Sequence, residues 1–157
     1  MRWIFTPYVG VNDLKFGMTR ENVEKLYGKP ERERVFGDGR VREQRGKIKV
    51  PTLEFSGNTL MEMSFTEDSG ELIFFEKNIL KEDPVLFLNF IEKKDVNLGA
   101  LIGGIDSYKF GLSFNMCPLG SPDKWFGIFA KGAHDALLAE ARPLRPSDRV
   151  ITDGDDD

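Results

Sequence analysis

Apolar and polar residues alternate regularly from Leu60 to Thr66. Successive side chains of a strand point to opposite faces, so this alternation predicts a strand of a sheet with one buried side. Turn residues separate it from an apolar run on either side. We therefore predict a three-stranded meander. Its strands are Leu53–Phe55, Leu60–Thr66 and Leu72–Lys77.

Two further pairs of strands are predicted outside this meander. Arg32–Phe36 and Val41–Arg45 flank a glycine-rich turn and suit a hairpin. Phe110–Met116 alternates like a strand, and Trp125–Ala130 is its expected partner. The glycine-rich segment Gly99–Gly104 is expected to be a loop.

The residues around Thr19 predict a short helix. Thr19 suits the N-cap, Gly28 suits the left-handed residue after the helix, and Pro30 prevents continuation. A helix of about two turns is not stable alone, so it must pack on the rest of the protein. The residues expected to make that contact are Val23, Leu26 and Tyr27.

A second helix is predicted over residues 84–94, where Asp83 suits the N-cap and Pro84 suits the first helical position. The apolar run in this segment leaves little polar face, so a buried strand remains an alternative. A short third helix is predicted over Ala133–Glu140.

These elements together predict a single α+β domain over residues 1–142. We expect an antiparallel, meander-rich sheet with short helices packed on one face. Residues 143–157 contain prolines and end in aspartates, which predicts a mobile acidic tail.

The first helix also carries a resemblance to known families. Phe16-Gly17-Met18-Thr19, followed by a short helix and Gly28-Lys29-Pro30, resembles the opening of the outer-membrane assembly lipoproteins and the β-lactamase inhibitory proteins. Both are protein-binding modules. Together with Tyr8-Val9-Gly10-Val11 and Phe129–Asp135, the motif is also similar to small cytosolic bacterial proteins of toxin-immunity loci. The resemblance implies a protein that works by binding another protein.

Composition narrows the chemistry that the chain can perform. One Cys excludes an intramolecular disulfide and a cysteine-based metal site, and one His offers a single imidazole. We expect no cofactor and no metal. The N-terminus has no apolar signal-peptide core, and no apolar run approaches the roughly 18 residues that a membrane span needs. A cytoplasmic protein with no membrane partner is therefore expected.

Charge is distributed unevenly along the chain. The net charge of −4 is accounted for by the four aspartates of the last five residues, so the rest of the chain is formally neutral. No Lys or Arg lies between Lys49 and Lys77, whereas six carboxylates do. Basic residues from Lys29 to Lys49 lack regularly spaced aromatic partners, so no nucleic-acid partner is expected.

No catalytic constellation can be recognised, and we expect no catalytic residue. His134 and Asp135 are adjacent on a predicted helix, so their side chains point in different directions. Cys117 lies at a strand end with no partner that would activate it. The glycines between 99 and 104 lack the Gly-Lys-Ser/Thr continuation of a phosphate-binding loop.

The working hypothesis is a non-enzymatic immunity protein that binds and neutralises a cognate bacterial toxin, such as a basic nuclease. An acidic recognition face of Glu54, Glu62 and Glu76 is expected, because acidic residues would meet a basic partner. Phe74, Phe75 and Trp125 are candidate apolar anchors if they are exposed. The alternatives are a structural protein-binding module of an assembly complex, or an enzyme of unrecognised type. A deep pocket with His134 or paired carboxylates would favour the enzyme.

Overall fold

The computed structural model describes residues 1–152 and has an α+β fold, as predicted. Within those residues, nine antiparallel strands form a large sheet in the order β14-β10-β11-β12-β13-β7-β6-β5-β4. Five others form a smaller sheet in the order β3-β2-β1-β8-β9, in which β1 and β8 are parallel. The strands are β1 Arg2–Thr6, β2 Gly10–Val11, β3 Leu14–Lys15, β4 Arg32–Val35, β5 Val41–Arg45, β6 Val50–Ser56, β7 Thr59–Phe65, β8 Glu71–Phe74, β9 Lys77–Asn78, β10 Gly99–Leu101, β11 Gly104–Ser107, β12 Leu112–Phe114, β13 Phe126–Phe129 and β14 Arg142–Pro143. The helices are α1 Arg20–Tyr27, α2 Pro84–Lys94 and α3 Asp135–Leu138.

Helix α1 begins and ends as predicted. The Thr19 hydroxyl accepts the Asn22 N–H at 3.2 Å, and Gly28 follows the helix with φ +81°. Val23 is fully buried and Tyr27 is half-buried against the core. The expectation for Leu26 is wrong, because its side chain is 45% exposed. So short a helix buries only one narrow stripe of side chains, and Leu26 lies outside that stripe.

Helix α2 settles the alternative left open for residues 84–94 in favour of the helix. Asp83 accepts the backbone N–H groups of Val85 and Leu86 at its N-terminus. Phe87 packs edge-on against Phe114 and Phe126 of the large sheet. The small polar face of this segment has a visible consequence, since the apolar side chain of Leu86 is left 63% exposed.

The predicted three-stranded meander is wrong in its third strand. β6 and β7 pair as predicted, but β8 leaves the large sheet and pairs in parallel with β1. Gly70 makes this possible, because it has φ +100° and a Cβ there would lie 2.3 Å from the Met1 carbonyl oxygen. β8 therefore pairs with the N-terminal strand β1. No pattern in the sequence indicated that strand.

The loop predicted for Gly99–Gly104 is instead a hairpin of β10 and β11. Glycine usually disfavours strand structure, but these strands need residues without a side chain at two positions. A Cβ on Gly99 would lie 2.8 Å from the Cβ of Ala141, and Gly104 lies under the indole of Trp125.

Several contacts join the segment after residue 142 to the body of the protein. β14 pairs with β10, Arg149 forms an ion pair with Glu92, and the Thr152 N–H donates to the Met116 carbonyl. The aspartates of the expected acidic tail lie outside the described residues, so its mobility stays a prediction.

The core lies between the large sheet on one side and α1, α2 and the small sheet on the other. Apolar side chains of β6, β7, β12 and β13 point into it, including Leu53, Met63, Phe114 and Ile128. The opposite face of the large sheet, called the open face below, carries mostly polar residues.

Candidate functional site

Two rows of side chains cross the open face from strand to strand. Residues paired across antiparallel strands project on the same side, so the register defines each row. The first row is small and polar and consists of Asp106, Ser113, Gly127, Ser64 and Thr52. The second row is mostly charged and consists of Phe129, Glu62, Glu54, Arg42 and Arg34. The small row forms the floor of a groove, and the charged row forms one of its walls.

Trp125 forms the opposite wall of this groove. Its six-membered ring lies flat on the sheet, with atoms 3.5 Å from the Cβ position of Gly104 and 3.4 Å from that of Gly127. A Cβ at either glycine would stand in ordinary van der Waals contact with this ring, so the indole packs closely over the two glycines. Trp125 thus forms a half-buried aromatic platform on the sheet.

His134 joins the two rows at one end of the groove. Its Nδ1 lies 2.9 Å from Asp106 Oδ2, and its Nε2 lies 2.8 Å from Glu62 Oε1. The imidazole stacks on Phe129 with ring centroids 3.8 Å apart. Ser113 donates its hydroxyl to the other oxygen of Asp106. We call Asp106, His134 and Glu62 the histidine bridge.

The histidine bridge is charged at neutral pH. Burial alone would lower the pKa of His134, but its hydrogen bonds to Asp106 and Glu62 outweigh burial and raise that pKa to about 9. Burial likewise opposes ionisation of Glu62, yet the hydrogen bond from His134 holds the pKa of Glu62 below its usual value. Both imidazole nitrogens therefore donate to carboxylates, and neither offers a lone pair.

Glu54 and Glu62 stand directly opposite each other on β6 and β7. Burial and the neighbouring Glu62 charge raise the pKa of Glu54. Arg40 and Arg42 compensate on the other side, at 3.5 and 3.4 Å from Glu54 Oε1. The carboxylates expected to form a free acidic face are thus neutralised by cations from other parts of the chain.

Three hollows connect along the open face. The central one, of about 490 Å³, is lined by Glu62, Ser64, Trp125 and His134 among others. It shares Ser64 with a hollow of about 350 Å³ toward β4 and β5, and Trp125 with one of about 490 Å³ beside the β10–β11 hairpin. Together they make one groove across the sheet with Trp125 near its middle.

The sequence-predicted partner-binding residues fall in two places. Glu54, Glu62 and Trp125 belong to the open face, whereas Glu76 lies in the turn between β8 and β9 of the small sheet. Phe74 is 5% exposed and belongs to the core, so it does not meet the condition set for an anchor. Phe75, at 45% exposed, does meet it.

The turn that carries Phe75 has an unusual backbone. Phe75 and Glu76 connect β8 and β9 with φ values of +50° and +63°. A two-residue hairpin turn with both φ values positive normally uses Asn and Gly, because larger residues are strained there. Aromatic contacts hold the Phe75 ring in place. Its ring centroid lies 4.4 Å from that of Phe74, 5.7 Å from Phe110 and 5.8 Å from Phe90.

Three lysines surround these rings. The Lys94 Nζ lies 4.4 Å from the Phe75 ring centroid, the Lys77 Nζ lies 4.5 Å from Phe90, and the Lys109 Nζ lies 5.3 Å from Phe110. We call Phe75, Phe90, Phe110 and these three lysines the Phe75 patch. Within residues 1–152, neither Lys94 nor Lys109 forms an ion pair with a carboxylate, whereas Lys77 lies 3.4 Å from Glu82.

Sequence reasoning did not find the histidine bridge. It weighed only the adjacent Asp135 as a partner for His134 and rejected it, whereas the real partners, Asp106 and Glu62, are 28 and 72 residues away. The alternation that placed Glu62 on the polar face of its strand was the only signal available. In the part of the chain that the structure describes, no three His, Cys, Asp or Glu side chains are arranged to hold a metal ion.

No helix among residues 1–152 is long and apolar enough to cross a membrane. None of the protein-family models, curated proteins or solved structures compared with this chain matches it.

Proposed function

We propose that this chain is a non-enzymatic immunity protein that binds a cognate bacterial toxin through the open face of its large sheet. The observation that carries the proposal is the groove itself, in which a half-buried Trp125 faces a wall of paired charges across a floor of small polar residues. Trp and Arg are the residue types that most often anchor protein interfaces, and Trp125 and Arg42 both line this groove.

Charge pairing on the open face also supports a protein partner. A partner that covers Glu54 or Glu62 does not have to neutralise them, because Arg40, Arg42 and His134 already do so. Polar groups satisfied before binding lower the cost of burying them in an interface. Association should consequently depend less on salt than it would for a free acidic face.

The Phe16-Gly17-Met18-Thr19 resemblance points to the same class of function. The structure bears out the local geometry that the motif implies, since Met18 packs against the core and Thr19 caps α1. The toxin is therefore sought first as the product of the adjacent gene.

The direct experiment titrates the purified product of the adjacent gene with the wild-type protein and with Ser64→Arg. Ser64 is exposed on the groove floor, so an arginine there fills the groove without removing a core contact. We expect Ser64→Arg to weaken binding at least about tenfold, because it obstructs the centre of the interface.

Thr6→Arg serves as the matched control. Thr6 is also an exposed strand residue, but it belongs to the small sheet. If binding is kept in Thr6→Arg and lost in Ser64→Arg, the result supports the open face as the surface that binds the toxin. A wild-type protein that binds no neighbouring gene product contradicts the immunity function.

An enzyme is the second candidate, because His134 and Glu62 do line a common hollow. The geometry of the histidine bridge opposes it. A general base needs a free lone pair, and both imidazole nitrogens are occupied by carboxylates. The nearby Ser113 hydroxyl donates to Asp106 and not to His134, so no activated nucleophile is formed.

His134→Gln separates the two candidates. If the protein acts by binding, a folded His134→Gln variant still protects cells that express the toxin. If it acts by acid–base chemistry at His134, protection is lost although binding and folding are retained.

A further inference from the structure

The Phe75 patch lies on the small-sheet side of the molecule and takes no part in the groove. It combines an aromatic surface with three lysines, of which Lys94 and Lys109 form no ion pair with a carboxylate among residues 1–152, whereas Lys77 pairs with Glu82. Phe75 is 45% exposed and Phe90 and Phe110 are half-buried beneath it. The turn at Phe75 and Glu76 places a large, partly exposed aromatic side chain where Asn-Gly is the usual sequence.

The lysines are held close to the rings. Lys94 Nζ lies within 5.2 Å of both the Phe75 and Phe90 ring centroids, and the Lys109 Nζ donates to the Lys94 carbonyl at 2.6 Å. The ammonium groups therefore lie against the aromatic rings, so cations and exposed aromatic surface occupy the same patch. An exposed aromatic surface that carries lysine ammonium groups matches the boundary between lipid headgroups and acyl chains.

We propose that the Phe75 patch docks this protein reversibly on an anionic lipid surface. Phe75 would enter the acyl boundary, and Lys77, Lys94 and Lys109 would lie among the anionic headgroups. This departs from the expectation of no membrane partner, which rested on the absence of a spanning segment. Docking of this kind requires no spanning helix, and it does not depend on the proposed toxin.

The composition of the patch favours lipid over a second protein. Protein interfaces are enriched in aromatic residues and Arg but depleted in Lys, so the lysines of the patch are the distinguishing feature. The Phe75 patch contains only Phe and Lys, whereas the open face contains Trp125 and Arg42. Phe on an apolar surface rimmed by Lys is typical of peripheral membrane contacts.

Two carboxylates lie near the patch and limit its charge. Glu82 pairs with Lys77 at 3.4 Å, and Glu76 occupies the turn beside Phe75. Because Glu76 is exposed in the turn beside Phe75, its negative charge should weaken the attraction of the patch to anionic lipid. Reversing this charge should strengthen binding, which provides a gain-of-function test that misfolding cannot imitate.

The experiment measures co-flotation of the full chain with vesicles at low salt. One set of vesicles contains phosphatidylglycerol and phosphatidylcholine in equal parts, and the other contains phosphatidylcholine alone. We expect wild type to float with the anionic vesicles only, and added salt to release it. Phe75→Ala and Lys94→Glu/Lys109→Glu should each lower the bound fraction at least about fivefold, and Glu76→Lys should raise the affinity about fivefold.

Lys25→Glu/Lys29→Glu is the matched control, because it changes the net charge equally at two exposed lysines on and just after α1. It should retain most of the binding. The proposal is overturned if wild type does not float with anionic vesicles, or if the control variant loses as much vesicle binding as the patch variants. It is also overturned if the patch variants lose toxin binding and no vesicle binding is seen.

Discussion

The open face and the Phe75 patch carry charges in two different ways. On the open face, Glu54 lies near Arg40 and Arg42, and Glu62 bonds to His134, so each carboxylate has a cation beside it. On the patch, Lys94 and Lys109 face aromatic rings and have no carboxylate partner within the described chain. The open face also presents Trp and Arg, whereas the patch presents Phe and Lys.

This difference determines what each charge contributes. Removing one member of a buried ion pair leaves its partner unsatisfied and destabilises the fold. Exposed and unpaired charges contribute little to stability but act strongly on an approaching partner. Substitutions of charged residues on the open face should therefore change stability as well as binding, whereas substitutions of charged residues on the patch should change binding with little change in stability.

The largest effect is expected at Asp106. Its side chain is 4% exposed and accepts from both His134 and Ser113. Asp106→Ala leaves a buried imidazolium short of one partner, which costs about 3–5 kcal/mol of unfolding free energy. Urea denaturation at neutral pH measures this loss of unfolding free energy. Asp106→Asn keeps an acceptor oxygen and should cost less, and an Asp106→Ala variant as stable as wild type would contradict the paired-charge account of the open face.

The pH dependence of stability should report the histidine bridge. The pKa of His134 is about 9 in the folded protein, above its ordinary value of 6.5, so protonation favours folding. This contribution, on the order of 3 kcal/mol, is complete below pH 6.5 and is lost as pH rises toward 9.

Urea midpoints measured between pH 6 and pH 9.5 follow that loss. His134→Gln cannot titrate, so its midpoint should vary much less over the same interval. Identical pH profiles for the two proteins would show that His134 is not held as a cation by Asp106 and Glu62.

The sequence indicated many of these elements but only part of the site. Capping chemistry located α1 and α2, because caps depend on residues close together in the chain. The alternation of β7 placed Glu62 on the polar face of its strand. It could not show that the cations paired with Glu54 and Glu62 come from Arg40, Arg42 and His134.

Contacts between residues far apart in the sequence also explain what the sequence-based predictions of the fold missed. β8 pairs with β1 and not with β7, because Gly70 allows close approach to Met1. Arg45 is 1% exposed, forms an ion pair with Glu43 and donates to the Gly28 carbonyl, an arrangement that no local pattern predicts. Such contacts depend on register and crossing of distant segments, which periodicity alone does not specify.

The three glutamates expected to form one acidic face should now behave differently. Glu54→Lys places a third cation beside Arg40 and Arg42 at a largely buried position, and a loss of about 1–2 kcal/mol of unfolding free energy is expected because two ion pairs are replaced by like-charge repulsion. Glu76→Lys lies in an exposed turn and should change stability by less than about 0.5 kcal/mol. Chemical denaturation of both variants tests the contrast, and equal losses would remove the distinction between the two regions.

The smallest effect is expected at the strained turn of the patch. Glu76 has φ +63°, so Glu76→Gly relieves a left-handed conformation and should raise stability by about 0.5 kcal/mol. Glu71→Gly, at an exposed position within β8, should lower it by about 0.5–1 kcal/mol. Thermal unfolding compares the two, and a destabilised Glu76→Gly protein would show that the turn is not strained.

Titration of the adjacent gene's product with Ser64→Arg and with Phe75→Ala tests the central claim most directly, because each variant alters one region only. We predict that Ser64→Arg weakens toxin binding at least about tenfold and that Phe75→Ala leaves it within about twofold of wild type. Binding that is lost in Phe75→Ala and kept in Ser64→Arg would contradict the assignment of the open face to the toxin.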